Sequence, residues 1–427
     1  MEPDVLGPPY ESQVLDLGHD DEGPVVATLV RRRAADPGGR AVLYLHGFVD
    51  YFFQTHLADF FVARGWDFYA LDLRKYGRSL LPHQTPNFCR DLSDYFPELD
   101  EAARIIRADG NEVLLVNGHS TGGLVAAVWA DARRDQGIVH GIFLNSPFFD
   151  LNAPWLVRRP LAAAVARIGR RAPYRTVPRN LSAVYGQSLH ADHHGEWRYD
   201  LAWKPLAGFP VRAGWLGAIR TAQRRLRAGL DIPVPIMLAC STRTFRGSTW
   251  HESASLADAV LDVEHMVRWA PRLGRHVTLV RLDGGLHDLT LSGPAVRDRL
   301  FSELGRWVDA FVVRDDALRD APAAPASVPA GRRPFAAPAD GTSVPRDRSP
   351  DRTATRDHSP APARTPAPDR TTAPDRTTDR NPGPDRNPAP AQDRTAAAPA
   401  ARTAADPPPP PARTAATSPA ATPADPG

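Results

Sequence analysis

The stretch Val113-Leu114-Leu115-Val116-Asn117-Gly118-His119-Ser120-Thr121-Gly122-Gly123 joins a continuous apolar run to a serine framed by glycines, a G-x-S-x-G pattern from Gly118 to Gly122. The residues that follow, 122–134, are rich in Ala and Val and read as a helix. A short unbroken apolar run suits a strand buried on both faces of a parallel sheet. A chain that passes from such a strand straight into a helix must turn sharply, and the positions two residues either side of the turn lose room for side chains. This elbow lifts the Ser120 hydroxyl above the sheet edge and aims the positive end of the helix at it. The backbone N–H of Thr121 then points at an oxyanion developing beside Ser120.

The same alternation repeats on either side. Apolar runs at 41–45, 66–71, 141–144, 235–238 and 277–282 read as buried strands. Residues 55–64 and 95–108 carry their apolar side chains on one helical face. Ahead of them, 14–17 and 25–30 read as a strand pair joined through the turn-rich segment 18–23. Strands and helices in alternation predict an α/β fold, a mainly parallel sheet with helices on both faces. The pattern lapses over about 148–210, a stretch helical at 160–170 and containing several Trp and Tyr. Structureless loops of that length are uncommon inside a domain, so a helical cap insertion over the site is expected there.

Composition divides the chain. Of its 427 residues and 44 prolines, 25 prolines fall within 321–427, where Phe335 is the sole aromatic. Such a segment cannot bury enough apolar surface to offset its chain entropy. The expected organisation is therefore one domain over 1–320 and a disordered Pro/Ala/Arg/Asp-rich tail over 321–427. The tail takes 14 of the 52 basic and 11 of the 49 acidic residues, leaving 38 of each in the domain. A domain without net charge carries no broad basic face for nucleic acid. Lysine occurs only at Lys75 and Lys204. Cys89 and Cys240 are too few for a disulfide framework. The N-terminus has no signal-peptide pattern, and no apolar run approaches the roughly 18 residues of a membrane span. A cytoplasmic protein with at most peripheral membrane contact is expected.

Partners for Ser120 follow from chain order. His46-Gly47-Phe48 comes directly after the 41–45 strand, where the second oxyanion donor belongs, so the Phe48 N–H is the candidate. Of 14 histidines, His287 in Gly284-Gly285-Leu286-His287-Asp288 follows the last strand and is the candidate base. His119, next to the nucleophile, is expected to pack beneath the turn. Asp72-Leu73-Arg74 ends a strand and is expected to brace loops. His190, Asp192, His193 and His194 cluster but lack a ligand set at a recognised metal spacing, so no metal is expected. The loop after 235–238 opens without a carboxylate, and Asp258 and Asp262 further on are both candidates for the acid that orients His287.

These residues together resemble the α/β-hydrolase superfamily, and more narrowly the monoacylglycerol lipase and lysophospholipase group, which shares its domain with serine aminopeptidases. The similarity runs over about 14–312. It implies an α/β-hydrolase fold, with Ser120, Asp258 and His287 as a catalytic triad and backbone donors at Phe48 and Thr121. Asp258 is favoured because it stands 29 residues before His287, close to the group's own spacing. The departure is the insertion 241–256, which separates the strand from the acid, and the tail has no counterpart. The resemblance implies a serine ester hydrolase without a cofactor, acting on a small-molecule acyl ester such as a monoacylglycerol or lysophospholipid. The aromatic residues Trp155, Tyr185, Trp197 and Trp203 suit an apolar acyl group. A rival within the group, an aminopeptidase, would need cap acids for a substrate ammonium, for which Asp192, Glu196 and Asp200 are candidates. The rival outside catalysis is a binding module that retains the fold alone.

Overall fold

Every apolar run read as a strand joins one nine-stranded sheet. The computed structural model describes residues 1–151, 169, 171–177 and 182–313. The chain divides into the units Met1–Arg333 and Pro334–Gly427. Trp155, nearly all of the helix read at 160–170, and the tail from residue 321 lie outside the described residues.

The strands are β1 (Glu2–Pro3), β2 (Glu11–Asp20), β3 (Gly23–Arg32), β4 (Arg40–Leu45), β5 (Trp66–Asp72), β6 (Val113–His119), β7 (Gly141–Asn145), β8 (Ile236–Ser241) and β9 (Val277–Leu282). Their order across the sheet is β1-β2-β3-β5-β4-β6-β7-β8-β9. Pairing is antiparallel through β1, β2, β3 and β5, and parallel from β5 to β9. The antiparallel strands β2 and β3 are joined by a tight turn, whereas each parallel neighbour needs a crossover, which the helices supply. These are α1 (Thr55–Val62), α2 (Phe96–Ala108), α3 (Thr121–Ala132), α4 (Val184–Leu189), α5 (Ala213–Ala228), α6 (Val263–Trp269) and α7 (Pro294–Val308).

Alternation along β4 sorts the core into two layers. Val42 and Tyr44 pack with Leu57 and Phe61 of α1 and with Leu304 and Trp307 of α7. Leu43 and Leu45 face the other way, toward α2, α3 and α5, with Leu99, Trp129 and Ile219 in that layer. Strands β5 to β8 are buried along their whole length, which is why they read as unbroken apolar runs. The run at 277–282 is a correction to that reading: β9 lies at the sheet edge, and Val277–Leu282 is only half-buried because it has a neighbour on one side. Among the described residues no helix is long and apolar enough to cross a membrane.

Strand order reverses between β5, β4 and β6, and ligands of open α/β sheets bind at such a switch, beyond the carboxyl ends of the strands. Leu45 pairs with Gly118 across β4 and β6, so the segment from His46 and the turn at Ser120 leave the sheet side by side. Phe61 is fully buried in the α1 layer. Replacing it by Ala should cost about 3–5 kcal/mol, read by chemical denaturation, with the folded far-UV spectrum retained.

Candidate active site

The turn after β6 puts Ser120 at φ 52° and ψ −115°, a conformation that residues with a side chain seldom adopt. The glycines make it sterically possible. A Cβ on Gly118 would stand 2.7 Å from the Gly122 carbonyl oxygen, and one on Gly122 would collide with the carbonyls of Leu45 and His46. The Ser120 N–H donates to the Asn145 carbonyl at the end of β7, 3.0 Å away. From this elbow α3 runs back into the core, with its N-terminus behind Ser120.

His287 lies in the loop after β9, buried, with Nε2 2.9 Å from Ser120 Oγ and Nδ1 2.9 Å from Asp258 Oδ2. The carboxylate can only accept, so Nδ1 carries the proton and Nε2 is left to accept from the serine hydroxyl. Asp258 is completely buried, and its Oδ1 accepts the N–H groups of Val260 and Leu261, both at 2.8 Å. It reaches this point despite the insertion because the insertion is an excursion closed at its base. Thr244 and Asp258 form a β-bridge, the Asp258 N–H donates to the Arg243 carbonyl, and the Phe245 N–H donates to the Asp258 carbonyl. The acid thus stands at the end of β8 although 16 residues separate it from Ser241. Asp262 is elsewhere: it caps α6 through the Glu264 N–H and pairs with Arg246 at 2.8 Å.

The Phe48 and Thr121 N–H groups have no acceptor among the described residues. Both residues line a cavity of 330 Å³ that also takes in Ser120 and His287. Its walls are mostly apolar, with Phe148, Leu151, Trp215, Leu216 and Leu261 among them. Of the aromatics read in the cap, Tyr185 lines the cavity, whereas Trp197 and Trp203 pack with Tyr51 and Phe53. None of Asp192, Glu196 and Asp200 lines it. Asp192 pairs with Arg198, and Glu196 with Arg297.

His119 does not simply pack under the turn. Its Nδ1–H donates to the Asn145 carbonyl, its ring lies 4.9 Å from that of His287, and it borders the cavity. Burial pushes its basicity down, which keeps it neutral beside the His287 ring. Asp72 braces loops as expected, accepting from the Phe52 N–H and pairing with Arg78 at 2.9 Å.

Four further residues escaped the sequence reading. Asn145 donates to Asp288 Oδ1 at 2.7 Å and accepts from the Leu289 N–H, so one residue ties the Ser120 turn to the His287 loop. Asp288 also accepts from the Thr290 N–H and hydroxyl and from Gln54. Asp50 lies one residue past Val49 in the loop after β4 and pairs with Lys204 at 2.6 Å, both buried. Only Lys204 carried a signal, as one of two lysines in the chain. Asp50, His119 and Asp288 bring ligand atoms within 4.8 Å of one another. The Asp288 oxygens are already taken by protein donors, however, and the Lys204 ammonium supplies the local positive charge. In the His190 group, His194 stacks on Trp250 at 3.4 Å, while Asp192 pairs with Arg198 at 3.0 Å and its N–H donates to His190 Nδ1 at 3.2 Å.

A family model for serine aminopeptidases of the S33 type matches residues 37–292. The chain belongs to this family. Its fold is that of the α/β hydrolases. A soluble variant of monoglyceride lipase from Saccharomyces cerevisiae, solved with a substrate analogue, superposes with a TM-score of 0.52 at 15% identity, over 70% of this chain and 94% of its own. The carboxyl esterase of Bacillus coagulans, solved with glycerol, gives 0.52 at 12% identity, over 70% and 99%. The monoacylglycerol lipase of Paleococcus ferrophilus gives 0.50 at 18%, over 66% and 98%. No curated protein sequence matches the chain. At these identities the solved structures bear on the hydrolase fold alone.

Two outcomes follow from the site's packing. Gly122→Ala should destabilise the protein by about 1–3 kcal/mol through the clash with the β4 carbonyls, and should displace Ser120, read as a lower melting temperature and lost labelling of the serine. For Asp288, burial pushes the carboxyl up, but the Thr290 and Asn145 donors and the Lys204 ammonium outweigh it and hold the group below its ordinary value. Its contribution is present above the unfolded carboxylate value near pH 4 and is lost as pH falls through the lower folded value. Asp288→Asn should therefore show a shallower loss of stability below about pH 4 than the wild type in denaturation at stepped pH.

Proposed function

We propose that the protein is a serine carboxylic-ester hydrolase with Ser120, His287 and Asp258 as its triad, acting on an ester with an apolar acyl group. The observation that carries this reading is the hydrogen-bonded line from Asp258 Oδ2 through His287 to Ser120 Oγ, ending in a mainly apolar cavity beside two unpartnered N–H groups. Ser120 Oγ attacks the acyl carbonyl while His287 Nε2 takes its proton, and Asp258 stabilises the imidazolium. The tetrahedral oxyanion accepts from the Phe48 and Thr121 N–H groups. His287 then gives the proton to the leaving alcohol, and an acyl-Ser120 remains. Water, deprotonated by His287, attacks that acyl group, releases the carboxylic acid and returns the serine. The chemistry needs no cofactor.

The apolar lining supports a monoacylglycerol or a lysophospholipid as the substrate type. Aminopeptidase chemistry needs an anionic site for the substrate's ammonium. The cap acids Asp192, Glu196 and Asp200 stand away from the cavity, and the acid that does border it, Asp50, is neutralised by Lys204.

A fluorophosphonate probe should label Ser120 covalently, located by peptide mass spectrometry, and Ser120→Ala should abolish both labelling and turnover of a graded series of acyl esters. No labelling of folded wild-type protein would sink the ester-hydrolase reading. Asp258→Asn should lower kcat about 10³–10⁴-fold by removing the acceptor that fixes the histidine tautomer, whereas Asp262→Asn should retain activity. The reverse result would reassign the acid.

A further inference from the structure

The segment that carries the Phe48 N–H is held in an unusual way. Phe48 and Val49 form a tight turn, and no backbone group of Phe48, Val49 or Asp50 makes a hydrogen bond to a described residue outside it. Val49 sits at φ 53°, in the left-handed region that a β-branched residue adopts only under constraint. The constraint comes from side chains that approach from the segment between β7 and the end of α5's first turn. Trp215 of α5 lies on the Phe48 ring at 4.0 Å. Trp203 meets the Tyr51 ring edge-on at 5.0 Å, and the Asp200 N–H donates to the Tyr51 hydroxyl at 2.8 Å. Between these two contacts, Lys204 Nζ reaches Asp50 Oδ1 at 2.6 Å.

That ion pair is costly to bury. Lys204 and Asp50 are 6% and 1% exposed, and Asp50 Oδ2 has no partner among the described residues. The ammonium is surrounded by the rings of Phe53, Tyr185 and Tyr199, with centroids 5.6 to 5.9 Å away. Composition sharpens the point. The chain uses Arg for every other basic residue except Lys75, yet places a compact ammonium here. An ammonium is a point charge that fits a closed ring of aromatic faces, where a planar guanidinium would need a wider slot.

We propose that Lys204 is a positioning residue that sets the oxyanion donor: through Asp50 it holds the strained Val49 peptide, and so aims the Phe48 N–H at the carbonyl attacked by Ser120. This rests on the ester-hydrolase reading and adds to it that the second oxyanion donor is assembled by the segment covering the site. The donor loop is anchored at its ends, through the Gly47 carbonyl and the Phe52 backbone, and between them the Phe48–Asp50 turn depends on the side chains that dock on it. A contact made to the oxyanion alone affects the transition state more than the bound ester, so its loss appears in kcat rather than KM.

The test uses the full chain with Asp50→Asn, Lys204→Met and the double variant, on the acyl ester the wild type turns over best and on its thionoester analogue. The double variant leaves no unpaired buried charge, so it folds even where a single variant that buries one does not. The expected result is a kcat lowered about 10–100-fold in both singles and in the double alike, with KM within about twofold and cooperative melting in the double. The loss should be smaller on the thionoester, whose sulfur accepts hydrogen bonds poorly. A folded double variant with wild-type kcat, or a loss equal on both esters, overturns the positioning role and leaves the triad reading standing. A wild type that neither labels at Ser120 nor turns over any ester overturns both.

Discussion

The site depends on a steric constraint, the approach of two backbone segments at the carboxyl ends of β4 and β6. Ser120 can hold its left-handed backbone only because the chain at Gly118, Gly122 and Gly123 has no side chains to keep β4 and β7 away. Strain of this kind costs on the order of 1–3 kcal/mol and persists only where the surroundings over-determine it. Here the surroundings are α3, buried along almost its whole length, and the hydrogen bond from the Ser120 N–H to Asn145. Val49, Ser120 and Ser146 follow the adjacent strands β4, β6 and β7, and all three have positive φ. These three positions lie at the sheet edge where Ser120 meets His287.

Around that edge, charge is arranged with few exposed atoms. Asp258 accepts two N–H groups from its own loop and the imidazole Nδ1–H, so its negative charge is fully hydrogen-bonded despite complete burial. Asn145 reaches both the Ser120 turn and Asp288, which makes the distance between Ser120 and His287 a property of the sheet rather than of two loops. Burial lowers the basicity of the neighbouring His119, so it adds no positive charge beside His287, and the nearby Lys204 ammonium is paired with Asp50. The Phe48 N–H beside the cavity belongs to the loop after β4, against which Trp203, Lys204 and Trp215 pack.

Much of this was legible in the sequence. Alternating apolar runs and amphipathic helices carry the α/β architecture because burial on both faces of a parallel strand forbids polar residues in it. G-x-S-x-G marks the elbow because only glycine tolerates the contacts the turn creates. His287 follows from chain order and from its place after the last strand. The insertion after β8 hid which aspartate meets His287, since distance along the chain says nothing about a bridge between Thr244 and Asp258 that closes the excursion.

What the sequence determined by itself is therefore local: which runs are strands, where the backbone must bend, and which serine and histidine lie at strand ends. Those properties depend on side-chain period and on backbone sterics within a few residues. The tertiary structure decided which of two aspartates meets the histidine, because Asp258 is buried in the bridge that closes the excursion whereas Asp262 caps α6 and pairs with Arg246. It also decided that Asp50 and Lys204, 154 residues apart, form one buried pair. A pair across that separation is set by the packing of the covering segment on the sheet edge, and no periodicity in either segment announces it.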